Sequence, residues 1–422
     1  MSPGLRCSME RVAATLALCF ALWREPAGLS ETTPAFAPAP PASTPAENSG
    51  LGEDLRLAML QGKGDSAILD WVLANSGPVK EQIEAGMFRV LYTVTPAEGW
   101  WEKAGGGKLA WHEAPVNQVH LRIFVADRSD GRLVPGLSLE ATLIDANGNE
   151  QALPVAFGWY PLVNAYGGNI PVTDGSYRLR VRIAFPEMRE AQPAATGEQL
   201  ARGEGLARIT VAEFPAVTIL QNEVMLLPLA TETSFAAEAE LLKPCNEALN
   251  AAITALWRQS TSGEEKSDGN YFVAYALGDT AWATPLARLR RKGMLDFSGK
   301  ENTRLEVLVR DSRTGRLIPF LAPQARLDAD GELYDGGELT PLRHPWLNLY
   351  GRNVRLPRKG SYRLRVTLEA PGFHRWGRKS ERFALPSQVE FDGVSLRNVS
   401  LRQEGQKPEK PKGDKPAGGA AP

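Results

Sequence analysis

A chain of 422 residues with a formal charge of only −1 offers a polyanion no electrostatic foothold, which argues against a nucleic-acid partner. Hydrophobic residues make up 43% of it and there are only three cysteines, so it reads as a globular protein not stapled by disulfides. It is also too long for one typical core.

The chain opens with Arg6 and Arg11 ahead of an apolar run from Val12 to Trp23, ended by Arg24, Glu25 and Pro26. That is the length of a secretory h-region and too short to span a bilayer, so residues 1–30 are predicted to be a signal peptide and the protein to be periplasmic. No later stretch has the apolar length of a membrane helix, so no transmembrane segment is expected in the mature chain. Cys19 offers a lipid anchor as an alternative, against which the bulky Leu18 before it argues. Residues 31–50 are rich in Pro, Ala, Ser and Thr and read as a linker, and 405–422 as a disordered Lys/Pro tail. With Cys7 and Cys19 in the leader, Cys245 has no intrachain disulfide partner and no zinc-type spacing.

Between these ends the chain repeats itself. GRLVPGLSLEATLIDANG, from Gly131, returns as GRLIPFLAPQARLDADG from Gly315 (315 − 131 = 184), and Tyr166 and Tyr350 keep that offset. DGSYRLRVRI from Asp174 returns as KGSYRLRVTL. Two repeats are therefore predicted, 51–230 and 231–404.

In each repeat a short helix comes first. Ile68, Leu69, Val72 and Leu73 have helical spacing behind Asp65 and Ser66 as caps, and Asn75-Ser76-Gly77 ends the run. The same offset lands on Ala251 to Arg258. Strands are predicted at Met87–Val94, Val119–Asp127, Leu137–Ile144, Gln151–Phe157, Ser176–Ile183 and Ala207–Glu213, divided by Gly, Asp, Asn and Pro. This is the pattern of an all-β protein, two immunoglobulin-like antiparallel β-sandwiches in tandem. Tyr177, Leu179, Val181 and Ile183 alternate with Arg178, Arg180 and Arg182, giving an apolar face and a solvated arginine face. Gly-Ser-Tyr, at Tyr177 and again at Tyr362, looks like a tyrosine corner.

Signals of catalysis are sparse. There is no G-x-S-x-G elbow and no H-E-x-x-H, and Gly105-Gly106-Gly107-Lys108 lacks the strand and the Ser/Thr of a phosphate loop, so a turn is expected there. The chain is predicted not to be an enzyme. One constellation remains: His120 and Arg122 alternate with Leu121, Ile123 and Val125, so both are predicted to face away from the core. The matching strand of the second repeat has Arg304 and Glu306. A His and a Glu would make an N/O pair for a transition metal, and each repeat keeps one of them.

A turn Gly-x-x-x-Pro, a loop ending Tyr-Gly-x-Asn and Gly-x-Tyr opening a strand occur once per repeat, preceded by a strand that opens with an outward His in the first repeat and with Arg304 in its place in the second. This order resembles the bacterial periplasmic iron-transport proteins that accompany high-affinity ferrous-iron permeases, over most of Met87–Glu213 and Tyr271–Val394. The resemblance implies copper or iron held by His, Met and Glu, and pairing of sandwiches as homodimers. His120 matches the His of the family's HLEADI strand and Glu306 its Glu, while His374 stands for a later His; Met188 is the first repeat's nearest candidate for that position. Ala165 and Leu349 replace the His before Tyr-Gly, and Gly158 and Leu342 replace a loop Met. The implied metal residues are thus His120, Glu306 and His374, with an iron permease or another envelope protein as partner. The two repeats would pair within one chain as a pseudo-dimer, leaving a monomer in solution. Two readings stay open: a metal-binding or metal-delivery accessory of iron uptake with a degenerate site, and an envelope interaction module that binds no metal.

Overall fold

The computed structural model describes residues 52–104, 109–184, 209–225, 227, 235–279, 303–344, 346–356, 360–377 and 382–396. The predicted signal peptide with Cys7 and Cys19, the linker, the Gly105–Lys108 turn, Met188 and the 405–422 tail lie outside the described residues. Among those described, no helix is long and apolar enough to cross a membrane.

Helix α1 (Glu53–Asn75) is followed by β1 (Lys80–Ala85), β2 (Phe88–Pro96), β3 (Trp100–Lys103), β4 (Leu109–His112) and β5 (Val119–Asp127). The first half continues with β6 (Ser138–Asp145), β7 (Glu150–Leu153), β8 (Ala156–Trp159) and β9 (Ala165–Ile170). It closes with β10 (Gly175–Ala184), β11 (Thr210–Glu213) and β12 (Val217–Ile219). Helices α2 (Gln221–Met225) and α3 (Phe235–Arg258) lead to β13 (Ser262–Asp268), β14 (Tyr271–Asp279) and β15 (Thr303–Asp311). The second half then runs through β16 (Gln324–Ala329), β17 (Glu332–Glu338), β18 (Thr340–Arg343) and β19 (Asn348–Val354). Its last strands are β20 (Tyr362–Leu368), β21 (His374–Trp376) and β22 (Ser387–Val394).

The fold is all-β, built from antiparallel sheets packed as sandwiches. The order β1-β2-β5-β9-β8 in one sheet returns as β13-β14-β15-β19-β18, and β11-β10-β6-β7 returns as β22-β20-β16-β17. Period-two alternation explains both cores. Leu121, Ile123 and Val125 point into the first, with Leu179, Val181 and Ile183 opposite. Leu305, Val307 and Val309 point into the second, with Leu364, Val366 and Leu368 opposite. The arginine face is solvated and paired across strands: Arg180 reaches Glu150 (2.9 Å) and Glu213 (2.8 Å). In the second half Arg365 reaches Glu390 at 2.7 Å.

One strand departs from this repetition. β21 leaves the second half and enters the first half's large sheet, parallel to β8 and antiparallel to β3, so that the sheet ends β8-β21-β3-β4. The halves share helical packing as well. Leu57 and Ala58 of α1 lie in one core with Leu249, Ile253 and Leu256 of α3 and with Ala274 and Leu308 of the second half. Farther along α1, Ile68, Leu69 and Val72 pack with Leu242 of α3 and with Leu91 and Phe124 of the first half.

The helices are not short, and their predicted starts are wrong for a physical reason. Gly62, Gly64 and Pro244 all read as breakers in the sequence, yet all three lie inside helices. The glycines serve close approach: a Cβ on Gly62 would stand 1.6 Å from the Asp130 carbonyl oxygen, and one on Gly64 2.8 Å from Cys245 Sγ. Asp65 is therefore no cap; its Oδ2 accepts the Leu133 amide at 2.9 Å, tying α1 to the Gly-x-x-x-Pro turn. The predicted strand Gln151–Phe157 is two strands, β7 and β8, and the Tyr-Gly-x-Asn segments read as loops lie in strands β9 and β19.

The tyrosine corner is present at Tyr177, whose hydroxyl donates to the Thr173 carbonyl at 2.9 Å. A more deeply buried tie is made by the tyrosine of each Tyr-Gly motif. Tyr166 accepts the Leu137 amide (2.8 Å) and donates to the Val134 carbonyl (3.3 Å). Tyr350 does the same with Leu321 (3.0 Å) and Ile318 (2.7 Å). The repeated Tyr-Gly and Gly-x-x-x-Pro motifs are thus two ends of one hydrogen-bonded strap.

Two outcomes test this account. Tyr166→Phe and Tyr350→Phe should each cost about 1–3 kcal/mol, because a buried amide loses its acceptor, whereas Tyr177→Phe at the solvated corner should cost about 0.5 kcal/mol. Equal urea midpoint shifts in all three would contradict the strap. For Gly62→Ala, helix propensity alone forecasts a gain of about 1 kcal/mol. The close approach instead forecasts a loss of about 2 kcal/mol or more, and thermal unfolding gives the sign.

Candidate functional site

Strand β5 is buried on both faces. His120 has 0% of its surface exposed and Arg122 4%, so neither is a surface residue. They do turn away from the sandwich core, but that second face is covered: Phe124 and Ala126 by α1, and His120 and Arg122 by Tyr160 and, over His120, by Trp376 of β21.

Both imidazole nitrogens of His120 are engaged. Nδ1 lies 2.9 Å from Asn169 Oδ1 and Nε2 lies 2.9 Å from the Tyr160 hydroxyl. Asn169 is held in turn by Glu98, donating to its carbonyl (2.8 Å) and accepting from its amide (3.0 Å). Arg122 donates to Glu98 Oε1, and its guanidinium lies 5.1 Å from the Tyr160 ring centroid. Burial pushes the His120 imidazole down to about 4, with Arg122 adding to this and Glu98 and Asn169 opposing it. The ring is therefore neutral at physiological pH.

Trp376 is the hub of the cluster. Its indole lies 4.4 Å from the His120 ring, 5.3 Å from Trp100 and 6.1 Å from Tyr160, the last stacked with planes 8° apart. Gly158 makes room for it, since a Cβ there would stand 2.5 Å from Trp376 Cδ1. The position where the resemblance implies a Met is thus occupied by an indole from the other half. His374, two residues earlier, lies at the half-exposed edge beside Trp100 and Trp376. Its Nε2 is 3.7 Å from Glu102 Oε1, and His112 Nε2 is 3.3 Å from the other oxygen of the same carboxylate.

Glu306 is not part of this cluster. It lies fully buried on β15, where Arg304 Nε stands 2.8 Å from its Oε1. Burial raises its carboxyl and Arg304 opposes that. His344, at Tyr160's place one repeat later, is buried nearby and pushed down to about 3 by burial, with Arg304 and Arg132 adding to the shift. The structure therefore brings His120 and His374 onto one tryptophan and leaves Glu306 in the other half. Among the described residues no group of three or more His, Cys, Asp or Glu side chains is arranged to hold a metal ion. His120, Glu306 and His374 do not fit a common copper or iron site: the first has both nitrogens engaged, the second faces a guanidinium, and the third turns its Nε2 to Glu102.

Sequence reading missed Tyr160, Asn169, Glu98, Trp100 and Trp376. The repeat offset could have pointed to Tyr160, which it pairs with His344. Nothing local marks Trp376, because its role comes from crossing into the other half.

No family model matches the chain. No curated protein matches it either. Among solved structures it is similar to FetP of a uropathogenic Escherichia coli strain, at 16% identity over 34% of this chain and 95% of that one, with a TM-score of 0.27. A copper-bound variant of FetP matches at 20% identity over 34% of this chain and 96% of that one, also at 0.27. A copper-bound variant of Campylobacter jejuni P19 matches at 16% identity, over 31% of this chain and 92% of that one, at 0.23.

The buried neutral imidazole gives a pH prediction. A native pKa near 4 against about 6.5 unfolded means that the unfolded chain binds the extra proton between those values. His120 therefore lowers stability as pH falls from 7 to 5, by about 2 kcal/mol. Asp65, raised by burial to about 6, pulls the other way, so the comparison is with His120→Gln. The wild type should lose about 2 kcal/mol more than the variant over that range in urea titrations; equal losses would refute the neutral buried imidazole.

Proposed function

We infer that this chain is a non-enzymatic accessory module of the cell envelope, exported, acting as a single chain whose halves pair with each other and docking on another envelope protein. In this reading two of the positions that the resemblance assigns to metal ligands, His120 and His374, serve the contact between the halves. The observation that carries it is the engagement of both His120 nitrogens under the Trp376 indole. A ligand in that setting would have to give up two buried hydrogen bonds before it could bind a cation. The buried guanidinium of Arg122 on the same strand face repels a cation further.

A second reading, a metal-binding or metal-delivery accessory of iron uptake, is favoured by one observation: His112 and His374 converge on Glu102 from opposite halves. An N/O donor set of that kind suits copper or iron better than magnesium or calcium.

Calorimetric titration of the purified chain with copper(II) and, anaerobically, iron(II) separates the two. The first reading predicts no saturable site tighter than about 0.1 mM. Tight stoichiometric binding that is lost in His374→Ala and kept in His120→Ala would establish the second. Binding lost in His120→Ala would overturn the structural role given to that residue.

A further inference from the structure

We propose that the cavity on the seam between the two halves is a binding site for a small, neutral, largely apolar molecule, with Phe320 and Phe157 as its aromatic rim. The inference goes beyond the function proposed above and is independent of it, because none of His112, His120, His374, Trp376 and Glu102 lines this cavity.

The cavity measures about 310 Å³, at the lower end of the range typical of small-molecule sites. Its walls come from the repeated motif of both halves: Leu133 and Val134 face it from the first, Leu317 and Ile318 from the second. The charge state of the ligand follows from the polar groups beside them. Arg132 donates through Nε and Nη2 to Asp130 Oδ2 at 2.9 and 2.7 Å. Arg316 donates to the Tyr160 and Pro161 carbonyls at 2.7 Å each and to Asn164 Oδ1. Asp65 accepts the Leu133 amide at 2.9 Å. Each of these groups is already committed to the protein, so a charged ligand would be desolvated without an equivalent partner.

Phe320 points to a purpose for the space. Its φ is +58°, in the left-handed region that costs a bulky side chain conformational energy. The equivalent position in the first half is Gly136, at φ +79°, where the same backbone is unstrained. Burial does not compensate the strain, for Phe320 is 41% exposed. Its ring instead lies 4.5 Å from that of Phe157, and both line the cavity. One half thus keeps a glycine and the other a strained phenylalanine at the same turn. An apolar guest would bury the exposed ring and offset that strain on binding.

The test uses N-phenyl-1-naphthylamine, a neutral apolar fluorophore, titrated into the full chain. Saturable one-site fluorescence enhancement is expected. Phe320→Gly, which copies the first half, should weaken binding about tenfold while leaving the thermal midpoint within a few degrees. Leu133→Trp, from a half-buried wall position, should abolish the signal while the far-ultraviolet circular dichroism stays native. Absence of saturable enhancement in the wild type overturns the site. Unchanged affinity in a folded Leu133→Trp places the probe elsewhere and overturns it too, and unchanged affinity in Phe320→Gly overturns the aromatic rim.

Discussion

Three residues, His374 to Trp376, leave the second half and take a strand position in the first half's sheet between β8 and β3. Most of the molecule's unusual features depend on that crossing. Trp376 needs Gly158 beneath it and the ring of His120 beside it, and so the face of β5 that an isolated sandwich would show to water becomes interior. The same crossing leaves β3 and β4 joined to their own half's sheet only through the other half's strand. Removing β21 would therefore cut one sheet in two.

The helices enforce the same union by another route. α1 and α3 each pack over both halves, and they approach closely enough that Gly64 meets Cys245 and Gly62 meets the turn at Asp130. Arg316, from the second half's copy of that turn, reaches the carbonyls of Tyr160 and Pro161 in the first. Its guanidinium lies over the Trp159 ring at 4.0 Å. Burial lowers it to about 10, with nearby carboxylates opposing that shift, so it stays charged at neutral pH. A buried charge of this kind is tolerated only where its partners are fixed, and here they are fixed only while the halves are together.

Much of this was legible in the sequence, and the losses have identifiable causes. The offset of the two GRL turns gave the repetition of strand order, and the alternation in β10 and β20 gave both cores. What escaped was whatever depended on contact between halves. His120 and Arg122 were assigned correctly to the face opposite Leu121 and Ile123; that the face is covered followed from α1 and from β21, and neither is foretold by β5. Gly62, Gly64 and Pro244 concealed the helix lengths because a residue chosen for close approach or tolerated by packing looks locally like a breaker. The metal set illustrates the same limit. On the same face of β5 and of β15 each half buries a guanidinium against a carboxylate, Arg122 with Glu98 and Arg304 with Glu306. Glu98, which balances the first, lies on no strand and repeats no motif.

The central claim is that the halves form one cooperative body. Its most direct test is hydrogen exchange of the full chain across a urea series, resolved at β5 in the first half and β15 in the second. If β21 and the helix pair bind the halves as described, the amides of both strands will lose protection at the same urea concentration. Exchange of one strand's amides while the other's stay protected would show two independently stable sandwiches, and would contradict the account.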